Sequence, residues 1–235
     1  MKRATPSFLA LATLLWAGAA WSNGVVEGTV RLEGPAPVLT PLPVVKDAST
    51  CGTEKPNETI LLGRQGTLKN VVVFISDVKP PVPPAPTANA SVDQQGCQYQ
   101  PHVQALTAGT SLTLMNNDRV LHNVHANLGP IQVFNVAMPI KGQKLPMKLA
   151  KPGVIKLQCD AGHTWMSAYL HVFDHPYFAV TDDKGNFAIK DVPAGQHTIE
   201  YWHETVGGKG PGVFKTAKVT VKAGGAARAD VAMKL

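Results

Sequence analysis

Glycine and proline interrupt this chain so often, 21 and 19 times in 235 residues, that its apolar residues fall into short runs bounded by turn signals. No window holds a helical period over three turns. The runs instead alternate apolar and polar residues, as half-buried strands do. Segment 26–32 (Val-Glu-Gly-Thr-Val-Arg-Leu) alternates cleanly, 70–75 reads as a buried strand, and 111–116 alternates again. Segment 154–159 puts Ile155, Leu157 and Cys159 on one face, and Ala168, Leu170 and Val172 repeat the pattern on the next strand. Segments 187–189, 198–202, 217–221 and 229–235 complete an all-β set. About 210 residues after the N-terminal leader are enough for two small β-sandwiches.

The leader is residues 1–22. Lys2 and Arg3 precede an apolar run at 8–21 that is short for a bilayer span, and small Ala20 and Ser22 frame a cut before Asn23. The expected product is a periplasmic protein with no membrane span after signal cleavage. An uncleaved anchor is the alternative. Loss of Lys2 and Arg3 leaves 20 basic against 16 acidic residues, a net charge of about +4. The basic residues are scattered singly, with no stripe interleaved with aromatics, which argues against nucleic acid. The mild positive charge suits an acidic redox partner.

The three cysteines sit in a chain expected to mature in an oxidising compartment, where an odd thiol needs an occupant. Cys51 and Cys97 lie in turn-like surroundings without a His or Met at ligand spacing, and are assigned to each other as a disulfide. The alternative leaves all three as thiols. Cys159 opens the run Cys159-Asp160-Ala161-Gly162-His163-Thr164-Trp165-Met166, and His122 follows Asn116-Asn117-Asp118 upstream. One thiolate, two imidazoles and a thioether are the ligand set of a mononuclear copper site tuned for electron transfer. Soft sulfurs hold Cu(I), and imidazoles hold both oxidation states. His125, three residues from His122, falls on the opposite strand face and is expected at the surface. His102, His171, His175, His197 and His203 have no partner at ligand spacing, and His203-Glu204 reads as a solvated strand end. Met115 and Met138 read as packing. No Ser-His-Asp context, phosphate-binding Gly loop or HExxH is present, and zinc hydrolysis would call for His and carboxylate ligands with an open position. These absences point away from an enzyme.

Segment 91–173 resembles the cupredoxin family, to which plastocyanin and amicyanin belong, on Asn116-Asn117-Asp118, His122-Asn123-Val124, Cys159, His163 and Met166. The resemblance implies a Greek-key sandwich or barrel holding one copper ion. His122, Cys159 and His163 would be strong equatorial ligands and Met166 a weak axial one. Asn123 would tie the two ligand-bearing segments together in support of the cysteine. The flanks carry a second resemblance. Thr181-Asp182-Asp183-Lys184-Gly185-Asn186-Phe187 followed by Val192-Pro193-Ala194-Gly195, with Gly28-Thr29-Val30 and Asn70-Val71-Val72-Val73 as opening strands, is similar to the carboxypeptidase regulatory-like (prealbumin-like) β-sandwich. A proline-rich stretch at 79–86 reads as a stiff linker. The expected organisation is therefore discontinuous, with 24–90 and 174–235 forming a smaller prealbumin-like sandwich and 91–173 inserted.

The function expected from this reading is a periplasmic carrier of single electrons that meets a redox partner such as a cytochrome or oxidase. The ring edge of His163 would be the electron exit and Trp165 an apolar docking surface beside it. Two alternatives stand: a copper carrier or buffer for delivery or tolerance, and a scaffold module with a vestigial metal site. The absence of a Met-rich tract favours electron transfer. The sequence names neither the partner nor the oligomeric state.

Overall fold

The alternating runs become strands that sort into two groups by position in the chain. The structure is a computed structural model, and it describes residues 23–80, 82–207 and 210–235. The expected leader at 1–22 lies outside the described residues. In the N-terminal part are β1 (Gly24–Leu32), β2 (Leu42–Pro43), the four-residue helix α1 (Ala48–Cys51), β3 (Glu54–Lys55) and β4 (Val72–Ile75). The middle holds β5 (Ser91–Gln95), β6 (Gln98–Gln100), β7 (Val103–Thr107), β8 (Thr110–Asn116), β9 (His122–Leu128), β10 (Ile131–Met138), β11 (Gln143–Leu149), β12 (Gly153–Gln158) and β13 (Ser167–Phe173). The C-terminal part adds β14 (Phe178–Val180), β15 (Asn186–Val192), β16 (Gly195–His203), β17 (Val213–Val221), β18 (Ala226–Arg228) and β19 (Val231–Met233). No described helix is long and apolar enough to cross a membrane.

The middle strands form two sheets, β10-β9-β12-β13-β7 and β11-β8-β5-β6. Their inner faces share one core that includes Leu112, Leu114, Val124, Ala126, Ile155 and Leu157. The N- and C-terminal strands form two others, β15-β1-β18 with β19 on β1, and β14-β4-β16-β17, around Val26, Val30, Val73, Ile75, Ile199 and Tyr201. Strands distant in the chain pair directly here, as Gly28 with Phe187 and Val73 with Tyr201 do in the two sheets.

One strand departs from the alternation. Ala168, Leu170 and Val172 of β13 face the middle core as expected, but Tyr169 and His171 on the other face are also buried. They pack against Trp202 of β16, with ring centroids 5.2 Å and 4.1 Å from its indole. Val72 and Val103 join this small apolar cluster. A strand covered on both faces loses the polar half of its pattern. The expectation that His203-Glu204 is a solvated strand end is also overturned. His203 is 1% and Glu204 4% exposed, and the Glu204 carboxylate accepts a hydrogen bond from His102 Nε2. Burial alone would push His102 down, but Glu204 and then Glu58 outweigh it and hold the imidazole above its ordinary value.

Candidate metal centre

The site is built at one end of the middle sandwich by two turns and a strap. The first turn is Asn116-Asn117-Asp118. Asn116 is fully buried; its amide donates to the carbonyls of Val120 (3.0 Å) and Met138 (2.7 Å), and its Oδ1 accepts the Asp118 N–H at 3.0 Å. These bonds fix the chain just before His122, the first residue of β9. Val124 and Ala126 share the His122 face and lie in the core, so the alternation of β9 aims the imidazole inward.

Asp118 then does two things. Its carboxylate accepts the N–H groups of Gly96 (2.8 Å) and Cys97 (2.7 Å). It also accepts from His122 Nε2 at 2.9 Å. Gly96 and Cys97 are the two loop residues between β5 and β6, with φ of 63° and 56°, the left-handed pair that a tight hairpin needs. Cys97 is bonded to Cys51, which leaves Cys159 as the free cysteine.

The second turn follows β12. Cys159 is the first residue past the strand and continues the inward face of Ile155 and Leu157. The Met166 N–H donates to the His163 carbonyl at 2.9 Å, which folds the segment back on itself before β13 begins at Ser167. Met166 is 2% exposed and belongs to the same core as Cys159. Asn123 points to the face opposite His122. Its Oδ1 accepts the Asp160 N–H at 3.2 Å, and its amide donates to Asn135 Oδ1 and the Val136 carbonyl. Asn123 therefore links the strand of one ligand candidate to the loop of the others. Tyr99, 1% exposed, donates its hydroxyl to the Asn123 carbonyl. Burial first, then the neighbouring Cys159 and Asp160, push its phenol well above the usual range.

The structure brings His122, Cys159 and His163 together. One ligand atom from each lies within 4.8 Å of the others, and all three residues are buried. The two Nδ1 atoms are 3.0 Å apart, and Cys159 Sγ is 3.6 Å from His163 Nδ1. Metal–nitrogen bonds of about 2.0–2.1 Å and a metal–sulfur bond of about 2.3 Å place such donors about 3–4 Å from one another, so the spacing fits a shared ion. Both Nε2 atoms are already taken. Asp118 holds that of His122, and Asp47 holds that of His163 at 2.8 Å. A carboxylate on the outer nitrogen fixes the tautomer and turns the other nitrogen to the metal.

The same partners set the imidazole charges. Burial works against a charged His122, yet the Asp118 carboxylate and the Cys159 sulfur outweigh it and hold the ring above its ordinary value. At His163 burial dominates, and the positive His122 and Lys46 add to it; Asp47 opposes them without winning, so the ring stays below its ordinary value. A metal ion needs an unprotonated Nδ1 on both rings, so its binding competes with protons.

Three expectations change here. His163 is fully buried rather than offering a ring edge to solvent. Trp165 is 7% exposed, donates its indole N–H to the Cys97 carbonyl at 2.9 Å and lies 5.0 Å from the His163 ring, so it packs the site rather than forming a surface. His125 does lie on the face opposite His122, but it is half-buried, with Nδ1 2.7 Å from Asp160 Oδ2 at an angle that makes no hydrogen bond. Sequence reasoning gave no role to Asp47, Tyr99 or Asp118. Asp118, four residues before His122 in an Asn-rich turn, carried a local signal. Asp47, 116 residues from His163, carried none.

No protein-family model matches the chain, and no curated protein matches it by sequence. Among solved structures it is similar to a purple cupredoxin from Nitrosopumilus maritimus, 24% identical over 36% of this chain and all of the other, with a TM-score of 0.32. It is similar to a mutant of amicyanin in its oxidised state, 23% identical over 36% of this chain and 81% of the other, TM-score 0.32. It also resembles a copper-containing nitrite reductase (NirK) from Thermus scotoductus SA-01, 20% identical over 42% of this chain and only 28% of that one, TM-score 0.34. Likenesses this partial and weak carry no argument about function, which rests instead on the donor set His122, Cys159 and His163.

Proposed function

We propose that this protein binds one copper ion through His122, Cys159, His163 and Met166 and carries single electrons. The observation that supports this most is the convergence of two buried imidazole Nδ1 atoms on a buried thiol, each imidazole braced by a carboxylate. A bound copper would supply one-electron cycling between Cu(II) and Cu(I). The residues do the rest. Asp118 and Asp47 hold the rings, Asn123 pins the cysteine loop, and the core packing of Cys159, Trp165 and Met166 excludes water. Donors held this firmly rearrange little when the charge on the metal changes, which is what electron transfer needs. The same burial disfavours a carrier, which has to open its ligands to hand the metal on.

The wider setting is part of the proposal. Residues 91–173 would be a cupredoxin domain inserted into a prealbumin-like sandwich made of 24–90 and 174–235; the sorting of strands into separate sheets supports it. The mature protein would be periplasmic, beginning at Asn23, and would meet a redox partner protein there. Optical and EPR spectra after addition of Cu(II) test the central claim. One equivalent should give an intense thiolate-to-copper band and a single Cu(II) signal. A spectrum with no charge-transfer band would end the reading.

A further inference from the structure

The chain between β1 and β4 reaches across to the metal centre. β2 and β3 pair only with each other, Leu42 with Lys55 and Pro43 with Glu54, and with α1 between them they make a strap outside the four main sheets. Leu42, Val44 and Cys51 of this strap pack into the core of the middle sandwich. Cys51 is bonded to Cys97, in the hairpin whose amides Asp118 holds. Lys46 donates its ammonium to the Ala161 carbonyl at 2.7 Å, inside the cysteine loop. The next residue, Gly162, has φ +95°, and a Cβ there would stand 3.0 Å from the Lys46 side chain. The loop is thus shaped to receive the strap.

Asp47 stands at the N-terminal end of α1, where an aspartate ordinarily turns its carboxylate onto the helix amides. It makes no such bond. Its backbone is left-handed, φ 53° and ψ 36°, and its carboxylate reaches His163 Nε2 instead. A non-glycine residue in that region is held there by its surroundings. Asp47 has therefore given up a local cap for a contact 116 residues away.

We propose that Asp47 is a positioning residue for the metal centre and that the disulfide-tied strap is a fixed cover over its loop side, an inference that rests on the copper reading above. The carboxylate keeps the His163 proton on Nε2 and so presents Nδ1 to the metal. The strap fills the place where the outer edge of that ring would otherwise meet water, and it blocks the approach of competing ligands. The Asp47 side chain is 35% exposed against 10% for that of Asp118, so of the two carboxylates on the candidate ligand rings it is the one that opens to solvent.

Three variants test this. In the metal-free protein at about pH 8, above the ordinary histidine range, nitrogen NMR of the histidine rings should show His163 as the Nε2–H tautomer. Asp47→Ala should give a tautomer mixture, and Asp47→Asn, which keeps an acceptor oxygen, should restore the single form. In the Cu(I) protein, bicinchoninate should strip copper about 10–100-fold faster from Asp47→Ala, the range found when an outer partner of a metal ligand is lost. Asp47→Asn should fall between wild type and Asp47→Ala. Lys46→Ala should speed copper loss without touching the tautomer, because it loosens the cover alone. The proposal is overturned if Asp47→Ala and Lys46→Ala both release copper as slowly as wild type. It is equally overturned if Asp47→Ala shows the same single His163 tautomer as wild type. A wild-type protein that takes up no copper refutes the copper reading, while the tautomer result still decides the role of Asp47.

Discussion

Cys159→Ser should abolish the intense thiolate-to-copper band, and Met166→Leu should keep the band while raising the midpoint potential. The band needs a covalent sulfur–metal bond, and a serine oxygen is a harder, less covalent donor. Copper affinity should also fall by at least about tenfold, about 1.4 kcal/mol, since the thiol is one of three buried donors whose ligand atoms lie within 4.8 Å of one another. Met166 belongs to the same buried core, and leucine matches its volume and burial. The substitution therefore removes a fourth donor's electron density, which stabilises the more electron-poor Cu(II) more than Cu(I), with little change in packing. His125→Ala is the control. Its ring lies on the face of β9 that carries Asn123, beside Asp160, so both the band and the potential should stay close to wild type. If His125→Ala destroyed copper binding while His122→Ala spared it, the assignment of faces on β9 would be wrong.

Acid should destabilise the protein through His171, and His171→Phe should remove most of that sensitivity. Burial pushes the His171 imidazole down to about 3 from an ordinary value of 6.5, and its Nε2 has no hydrogen-bond partner. The fold therefore keeps the ring neutral, whereas the unfolded chain takes up a proton as pH drops through about 6.5. The unfolded state binds more protons across this window, so stability is fully present above about pH 6.5 and is lost progressively down to about pH 3. At about 1.4 kcal/mol per pH unit, the loss between about pH 7 and about pH 4 is on the order of 3–4 kcal/mol. His175 and His203, also lowered chiefly by burial, act in the same direction. His102, held up by Glu204 against burial, acts in the opposite one, its stabilisation being present in acid and lost as pH rises through its folded value. Phenylalanine at 171 keeps a ring against Trp202 and Phe173 without a titrating nitrogen. Urea unfolding of wild type and variant at the two pH values measures the difference. An equal loss in both would show that the His171 imidazole packed on Trp202 does not govern acid stability.

The class of fold was legible because strand alternation is a local property, read over five or six residues. The segments at 26–32, 111–116 and 154–159 show it, and they became β1, β8 and β12 within a residue or two. β13 showed it too, but its polar-looking face, Tyr169 and His171, is buried against Trp202 of another sheet. The cysteine loop was legible for the same reason of nearness: Cys159, His163 and Met166 share one turn, and ligand chemistry restricts which residues can do that work. The Cys51–Cys97 bond was assigned because those two of the three thiols have no His or Met at ligand spacing, and the structure contains it.

What lay beyond reach was contact between distant segments. Glu204 is polar and ends a strand, which locally reads as solvent-facing. Only the docking of β16 against the neighbourhood of β7 buries it on His102. Asp47 shows the limit most sharply. By itself, an aspartate before a short helix reads as a cap, and the composition of the strap gives no sign of a metal centre. Its carboxylate meets His163 because the disulfide, Leu42 and Val44 seat the strap on the middle sandwich, and because Gly162 leaves room for Lys46. The sequence by itself determined most of the strands and named the candidate donors. Which face of each donor is covered, and by what, was decided by the tertiary structure, because burial and hydrogen bonding of a side chain depend on every segment packed around it.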